Sequence, residues 1–449
     1  MLKGLKLGIS GARGIVGASM TPDLIVRLAA AYAAGRRGRP ILVGGDTRPT
    51  GPMVRHALVA GLTASGCSVL DCGICPTPSV LYAASRRETG GGVLVTASHN
   101  PIEWNALKFV NEEGFFLGAA EGAEMTRRFR EEEPVYVAHD RVGTVATGPD
   151  VEAEHLDGIL RLPWIDAARV ARKGWKVVLD GCGGAGARLA RELLARLGCA
   201  VEPLHCEPSG GFPRPPEPKP ENLADLQAEV RRSGADVGFA LDPDGDRLAL
   251  VTGEARALSE ERTVSIVVDF VLARDPGPVV VNLSTTRCAE DLATRYGVPF
   301  HRTPVGEAHV AEGMKTHGAV VGGEGNGGAM VAALHPMRDA AVGVAIVLQA
   351  MSDANRSLEE IDASLPSYVL LKTVLSAETL DEGALVTALR RRFGEGTEDR
   401  RDGVRVAWER GWIHARPSNT EPVVRVVAEA ATREGAEELQ RAVTEVLAR

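Results

Sequence analysis

The stretch ILVGGDTRPTGPMVRHALVAGLTASGCSVL, residues 41–70, decides how the chain is read. Ile41–Val43 is a short apolar run, and Gly44, Gly45, Asp46, Thr47 and Arg48 follow it as a turn. An amphipathic helix is predicted from Pro52 to Ser65, then a strand at Val69–Leu70. Strand, glycine-rich turn, helix and strand in succession make the unit of a parallel sheet covered by helices. The unit recurs on both sides. Upstream, Thr21-Pro22-Asp23 offers an N-cap, a first-turn proline and an acid at the positive end of a helix. Its apolar face continues through Leu24, Ile25, Leu28 and Tyr32. Downstream, Val93–Val95 runs into the loop Thr96–Pro101, where ligands of such sheets bind. Trp175–Asp180 leads through glycines to a helix at Ala187–Leu197 and a strand at Ala200–Leu204. Val237–Leu241 ends at Asp242, and Val279–Asn282 precedes the glycine run 322–328. The fold class is α/β. Boundaries near 148, 252 and 368 give segments 1–148, 149–252, 253–368 and 369–449.

The 449 residues suit two to four domains. With 44% hydrophobic and 24% charged residues the chain reads as an ordinary globular enzyme, but aromatics at 4% leave its cores to Val, Leu, Ile and Ala. A net charge of -8 argues against nucleic acid as a partner, so an anionic small molecule must be held by local Arg and Lys. The start MLKGLKLGIS lacks a signal-peptide pattern, and no run of about 20 apolar residues suggests a membrane span. Cytoplasmic location and no membrane partner are the expectations. Seven cysteines are too sparse for a disulfide framework. Cys72 and Cys75 form a C-x-x-C, either a redox pair or a buried strand end entering a proline-rich turn; the second is preferred. Pro208 to Pro220 is too rich in proline for an element and is predicted to be an ordered or extended loop.

Several loops carry chemistry. Asp242, Asp244 and Asp246 stand at every second position, so their oxygens can converge on a hard cation such as Mg²⁺. An EF-hand is excluded, because Arg247 takes its glycine position and Gly253 its final glutamate. The remaining alternative is a solvated acidic turn. Ser98 beside His99 has no G-x-S-x-G elbow and alone would be a turn residue. Beside a cation loop, it becomes a candidate phosphoryl acceptor. The run Gly322–Gly328 lacks the Lys-Ser/Thr of a nucleotide loop; Glu324 and Asn326 suit sugar hydroxyls, unless it is a plain turn. Arg416, Ser418, Asn419, Thr420 and Arg425 supply the hydroxyls, turn amides and guanidinium groups that hold a phosphate. Arg13, on the turn Ser10–Gly14, faces a ligand or pairs on the surface. Finally, Gly181, Gly183 and Gly186 match G-x-G-x-x-G, with Glu202 where a ribose-binding acid would stand. That supports a nicotinamide-dependent oxidoreductase as a rival, or simply a helix packed closely on its sheet.

Taken in order, SGARG at 10–14, TASHNP at 96–101, DPDGDR at 242–247, GEGNGG at 323–328 and RPSNTEP at 416–422 resemble the α-D-phosphohexomutase family along the whole chain. That family includes phosphoglucomutases, phosphomannomutases and phosphoglucosamine mutases. The resemblance implies three related α/β domains with mixed sheets around a cleft plus a smaller α+β C-terminal domain. It implies Ser98 as the phosphoserine, and Asp242, Asp244, Asp246 and a Ser98 phosphate oxygen around Mg²⁺. Glu324, with Asn326, would contact the sugar, and Arg416, Ser418, Asn419 and Thr420, with Arg425, the non-reacting phosphate. The catalytic set would be Ser98, Lys108, Arg13 and His99, with His99 and Arg247 acting from behind the reacting groups. Lys108 as an acid–base group would need a lowered pKa; otherwise it is a positioning charge. The implied reaction interconverts hexose 6- and 1-phosphates through a bisphosphate that turns round, with hexose 1,6-bisphosphate as activator. Many relatives carry serine and histidine in place of Asn326 and Gly328, and glycine in place of Asn419. The GEGNGG loop is similar to archaeal-type phosphoglucosamine mutases, so glucosamine phosphate is the expected substrate, with glucose or mannose phosphate as alternatives. A non-catalytic sugar-phosphate sensor is a further alternative, and the assembly is expected to be a monomer or homodimer.

Overall fold

The computed structural model describes residues 4–9, 11–376, 380–417 and 423–447. The chain forms two compact units, Met1–Thr263 with Asn326–Ile361, and Val264–Gly325 with Asp362–Arg449.

The first unit begins with a seven-stranded mixed sheet ordered Lys6–Gly8, Gly11–Ile15, Trp104–Val110, Gly92–Val95, Ile41–Gly45, Val69–Ile74 and Val145–Thr147. The last four run parallel, and the first three are joined on antiparallel. Gly44 and Gly45 are strand residues, not the start of a turn. The reason is space: a Cβ on Gly45 would lie 2.6 Å from the Val95 carbonyl oxygen. The next helix runs Gly51–Ala64 and crosses helix Pro22–Ala33 at Gly61, where a Cβ would come within 2.9 Å of the Val26 carbonyl. Leu28, Tyr32, Ile41, Val43, Leu58 and Val93 fill the core between them. Thr21 has the extended backbone of an N-cap, yet its side chain bonds no helix amide. Pro22 and Asp23 mark that helix start instead. Cys72 and Cys75 are free thiols, and burial pushes Cys72 up to about 11 and Cys75 well above its ordinary value, which disfavours a reactive thiolate.

A second sheet orders Leu248–Thr252, Val237–Leu241, Lys176–Asp180 and Ala200–Leu204. Val237–Leu241 runs parallel to Lys176–Asp180 and antiparallel to Leu248–Thr252, with Leu241 opposite Leu248. The acidic loop is therefore the tip of a β-hairpin anchored on a buried sheet. The same unit holds the hairpin of Gly328–Val331 and His335–Arg338 and the buried helix Ala340–Ala354, capped by Asp339 on the amides of Ala341 and Val342.

Glu152, on helix Val151–Leu160, is pushed up to about 7, mainly by burial and against the pull of Arg188. A carboxyl raised above its unfolded value favours the fold below pH ~4.5 and loses that advantage as pH rises toward ~7. Glu152→Gln should therefore gain stability relative to the native chain on going from pH 5 to pH 8, by on the order of 1–2 kcal/mol in denaturant melts. A gain that does not grow with pH contradicts this.

In the second unit, Val279–Asn282 pairs in parallel with Phe300–Thr303 and Val321–Glu324. An antiparallel sheet follows, ordered Val369–Ser376, Val423–Ala430, Gly411–Pro417, Val404–Trp408 and Thr397–Asp399. Helices Glu382–Phe393 and Arg433–Leu447 share a core with it, centred on Leu389, Ile413, Val426 and Leu439. This is the predicted α+β C-terminal part. Among the described residues, no helix is long and apolar enough to cross a membrane.

Candidate active site

Ser98 sits at the carboxyl end of Gly92–Val95, buried, with a left-handed φ of 50°. A non-glycine residue held there costs about 1–2 kcal/mol, so something must impose it. The Thr96 hydroxyl accepts from the Ser98 amide at 2.9 Å and itself donates to Asp46 at 2.6 Å. The fully buried Arg48 then clamps the loop: its guanidinium donates to the carbonyls of Ser98, Asn100, Pro101 and Trp104 at 2.6–3.0 Å and to Asp46 at 3.1 Å. Burial lifts Asp46 to about 6 in spite of Arg48. Held this way, the Ser98 hydroxyl donates to Asp242 Oδ2 at 3.0 Å and lies 3.3 Å from His99 Nδ1. Burial first, and then Arg247 and Arg13, push His99 well below its ordinary range, so the imidazole is neutral near pH 7.

Asp242, Asp244 and Asp246 are all buried, and one oxygen from each lies within 4.8 Å of the others. Asp242 Oδ1 accepts from the amides of Asp246 and Arg247, closing the loop on itself. Asp244 Oδ2 accepts from Thr77 Oγ1 at 2.9 Å and Lys108 Nζ at 2.7 Å, and Asp246 Oδ2 accepts from Arg338. Among the described residues the buried Oδ1 atoms of Asp244 and Asp246 accept no hydrogen bond, Arg247 Nε standing 3.8 Å from that of Asp246. Orphaned carboxylate oxygens are costly unless a cation takes them, and hard oxygen donors in this number suit Mg²⁺. The residues therefore fit the ion. Burial and then Asp246 and Asp244 push Asp242 well up, while burial of Asp244 is outweighed by Lys108 together with hydrogen bonds to Asp242 and Thr77, which pull it down.

Lys108 is bonded to Asp244 Oδ2 at 2.7 Å and lies 4.0 Å from Asp246 Oδ2. Burial alone would lower it, but Asp244 and Asp246 outweigh burial and leave it raised. Arg13, opposite Ala106 in the sheet, donates to Asn100 Oδ1 at 2.7 Å and pairs with a loop side chain, not on the surface. Arg247 is held by Glu217 at 3.1 Å. Glu217 comes from the proline-rich loop, as does the buried Arg214, which donates to Asp180 and to the Leu241 carbonyl just before Asp242. Thr77, Arg48, Arg214, Glu217 and Arg338 were all absent from the sequence-based set. For Arg48, Arg214 and Glu217 the one local signal is charge placed among turn residues and prolines.

The glycine motif at 181–186 is filled by the protein itself. A Cβ on Gly184 would lie 2.6 Å from Pro243 Cα, and one on Gly186 3.1 Å from Gly245 Cα. The Ala185 amide donates to the Pro243 carbonyl, and Thr47 donates to the Gly183 carbonyl. These glycines let the turn underpin the acidic loop where a pyrophosphate would otherwise sit. The nicotinamide reading loses its site.

In the second unit, Glu324 is buried and its Oε1 accepts from Asn282 Nδ2 at 2.8 Å and the Gly306 amide at 3.0 Å. Arg416 faces Arg425 across paired strands. Burial lowers Arg416, and Asp402 opposes that. His414, bonded to Ser284 and to the Asp402 carbonyl, is pushed down to about 4 by burial and is a neutral prop. Ser10, Ser418, Asn419 and Thr420 lie outside the described residues. In the first unit, Asn326 Oδ1 of the side chain accepts from the Gly328 amide and closes its own turn.

A buried serine against three convergent aspartates and a ring of cations defines a phosphoryl-transfer class of site. Known proteins agree. Four phosphoglucomutase/phosphomannomutase models match in order: alpha/beta/alpha domains I, II and III at residues 4–135, 153–255 and 259–368, and the C-terminal domain at 377–446. A protein of Methanopyrus kandleri named "Probable phosphoglucosamine mutase" is 33% identical over 450 residues, covering 99% of this chain and 98% of that one. A "Phosphoglucomutase/phosphomannomutase" of Thermococcus kodakarensis is 31% identical, covering 97% and 96%. The solved structure of a phosphoglucomutase/phosphomannomutase family protein from Burkholderia thailandensis matches with TM-score 0.85 at 26% identity, covering 98% and 96%. The chain belongs to the phosphoglucomutase/phosphomannomutase family of phosphohexomutases, with its four-domain α/β fold. It is a phosphohexose mutase, an intramolecular phosphotransferase.

Proposed function

We propose that this mutase interconverts glucosamine 6-phosphate and glucosamine 1-phosphate through a phosphoryl group carried on Ser98. The observation that carries the reading is the 3.0 Å contact of the Ser98 hydroxyl with Asp242, beside two orphaned aspartate oxygens. In the first half-reaction the Ser98 Oγ–P bond breaks and a sugar O–P bond forms, the sugar hydroxyl proton passing to the released Ser98 oxygen. In the second the other sugar O–P bond breaks, the Ser98 Oγ–P bond re-forms, and the Ser98 proton passes to the released sugar oxygen. When the phosphoryl group returns, the Ser98 proton has Asp242 Oδ2 and neutral His99 Nδ1 within reach. Mg²⁺ held by Asp242, Asp244 and Asp246 would supply charge neutralisation at the transferring group. Lys108, Arg13 and Arg247 add fixed positive charge that needs no rearrangement as the reaction proceeds. Glu324 and the Arg416–Arg425 pair serve the sugar and the idle phosphate, together with Ser418, Asn419 and Thr420; hexose 1,6-bisphosphate primes Ser98.

The relatives' names divide between glucosamine and glucose or mannose phosphates, so the sugar is tested directly. Glucosamine 1-phosphate should give the highest kcat/KM of the three, and a higher value for glucose or mannose 1-phosphate contradicts the assignment. Chelation should lower turnover by roughly 10²-fold or more, restored by Mg²⁺. Turnover unaffected by chelator contradicts the metal role. We place the enzyme in the cytoplasm, as a monomer or homodimer.

A further inference from the structure

Two of the three aspartates share a pattern: one oxygen is bonded to a cationic side chain, and the other, buried, accepts no hydrogen bond among the described residues, with Arg247 Nε 3.8 Å from that of Asp246. For Asp244 the cation is Lys108, which the family resemblance singled out. For Asp246 it is Arg338, which nothing in the sequence motifs brought forward. Arg338 is itself buried, at the end of strand His335–Arg338.

Its mounting is rigid. The next residue, Asp339, donates its amide to the Ala329 carbonyl, and the Ala340 amide donates to the Gly245 carbonyl inside the acidic loop. The Asp339 carboxylate bonds His155 Nε2 at 2.8 Å, and His155 Nδ1 lies 2.9 Å from Ser79 Oγ, all three residues being buried. The side chain of Arg338 crosses over Gly328 to reach Asp246. A Cβ on Gly328 would stand 2.3 Å from Arg338 Cδ and 2.8 Å from its Cγ. A side chain at position 328 would press on the stem of Arg338, so glycine there leaves Arg338 the path it takes to the acidic loop.

We propose that Arg338 is a positioning residue of the aspartate centre, admitted by Gly328, which fixes Asp246 and offsets the excess negative charge there. Three carboxylates with a phosphorylated serine, which carries about -1.5 to -2, exceed the charge of one divalent ion and Lys108 together. A cation fixed on Asp246 keeps that sum from repelling an arriving sugar phosphate. The role presupposes the mutase reading above, but its signature does not depend on turnover alone. A guanidinium beside the carboxylates also competes with a metal for their charge. Removing it should tighten Mg²⁺ binding while slowing catalysis, whereas damage to the fold would weaken both.

The test uses Arg338→Met, Arg338→Lys and Gly328→Ala in the full chain. Mg²⁺ alone is titrated calorimetrically, turnover of glucosamine, glucose and mannose 1-phosphates is measured, and melting is followed as a control. Arg338→Met should bind Mg²⁺ about tenfold more tightly, as expected for loss of one nearby charge at partly screened distance, with kcat down roughly 10–100-fold. Arg338→Lys should restore Mg²⁺ affinity to near the native value and recover part of the turnover. Gly328→Ala should move both quantities in the direction of Arg338→Met. Unchanged or weaker Mg²⁺ binding in Arg338→Met, or a lysine variant no different from the methionine one, overturns the proposal. If the native chain turns over none of the sugars, the mutase reading fails, and the Mg²⁺ titration still decides whether Arg338 sets the charge of the centre.

Discussion

Ser98→Ala should abolish mutase turnover, by at least about 10⁴-fold, while leaving the fold in place. The loss is large because alanine leaves no atom to carry the phosphoryl group between the two ends of the sugar. The fold should survive because Ser98 is held by its backbone: Arg48 binds its carbonyl and Thr96 its amide, and neither contact needs the hydroxyl. Alanine bears the same left-handed cost as serine at a φ of 50°, so melting should move little. Steady-state turnover of each hexose 1-phosphate beside a thermal melt checks this. Residual activity above a hundredth of the native rate would remove Ser98 from the chemistry.

The second large effect is expected at Arg48. Arg48→Met deletes the donor to four loop carbonyls and leaves Asp46 buried without its charge partner. Breaking one side of a buried ion pair costs about 3–5 kcal/mol, and orphaned carbonyls add to it. Turnover should fall roughly 10²–10³-fold as Ser98 loses its imposed backbone conformation, since small misplacements of a reacting atom carry penalties of that size. Arg48→Lys should rescue little, because one ammonium cannot span four carbonyls in a fixed fan. Chemical denaturation with turnover assays decides it. A stability loss under about 1 kcal/mol would mean that the clamp does not hold the loop.

The contrast between Ser98 and Arg48 marks what could be read in the sequence. Ser98 and the three aspartates occupy short local patterns whose residue types already imply chemistry, and their loops follow strand ends, as the apolar runs Val93–Val95 and Val237–Leu241 suggested. Arg48 was visible only as part of a turn, because its partners at Ser98, Asn100, Pro101 and Trp104 are about 50 residues away. Thr77, Glu217 and Arg338 reach the acidic loop the same way, through tertiary packing that leaves no periodic trace. The glycine motif at 181–186 misled for the complementary reason: the same residues admit a pyrophosphate or a neighbouring loop, and here Pro243 and Gly245 occupy the space. Lys108 was found by position, but its proton affinity depends on two carboxylates more than 130 residues distant.

The most direct test is to incubate the enzyme with a hexose 1,6-bisphosphate and Mg²⁺, quench, digest and sequence the peptides by mass spectrometry. The account predicts phosphate on the peptide containing TASHNP, localised to Ser98 and discharged when hexose 1-phosphate is added. Phosphate on another residue, or none on Ser98 while the mutase turns over, would contradict it.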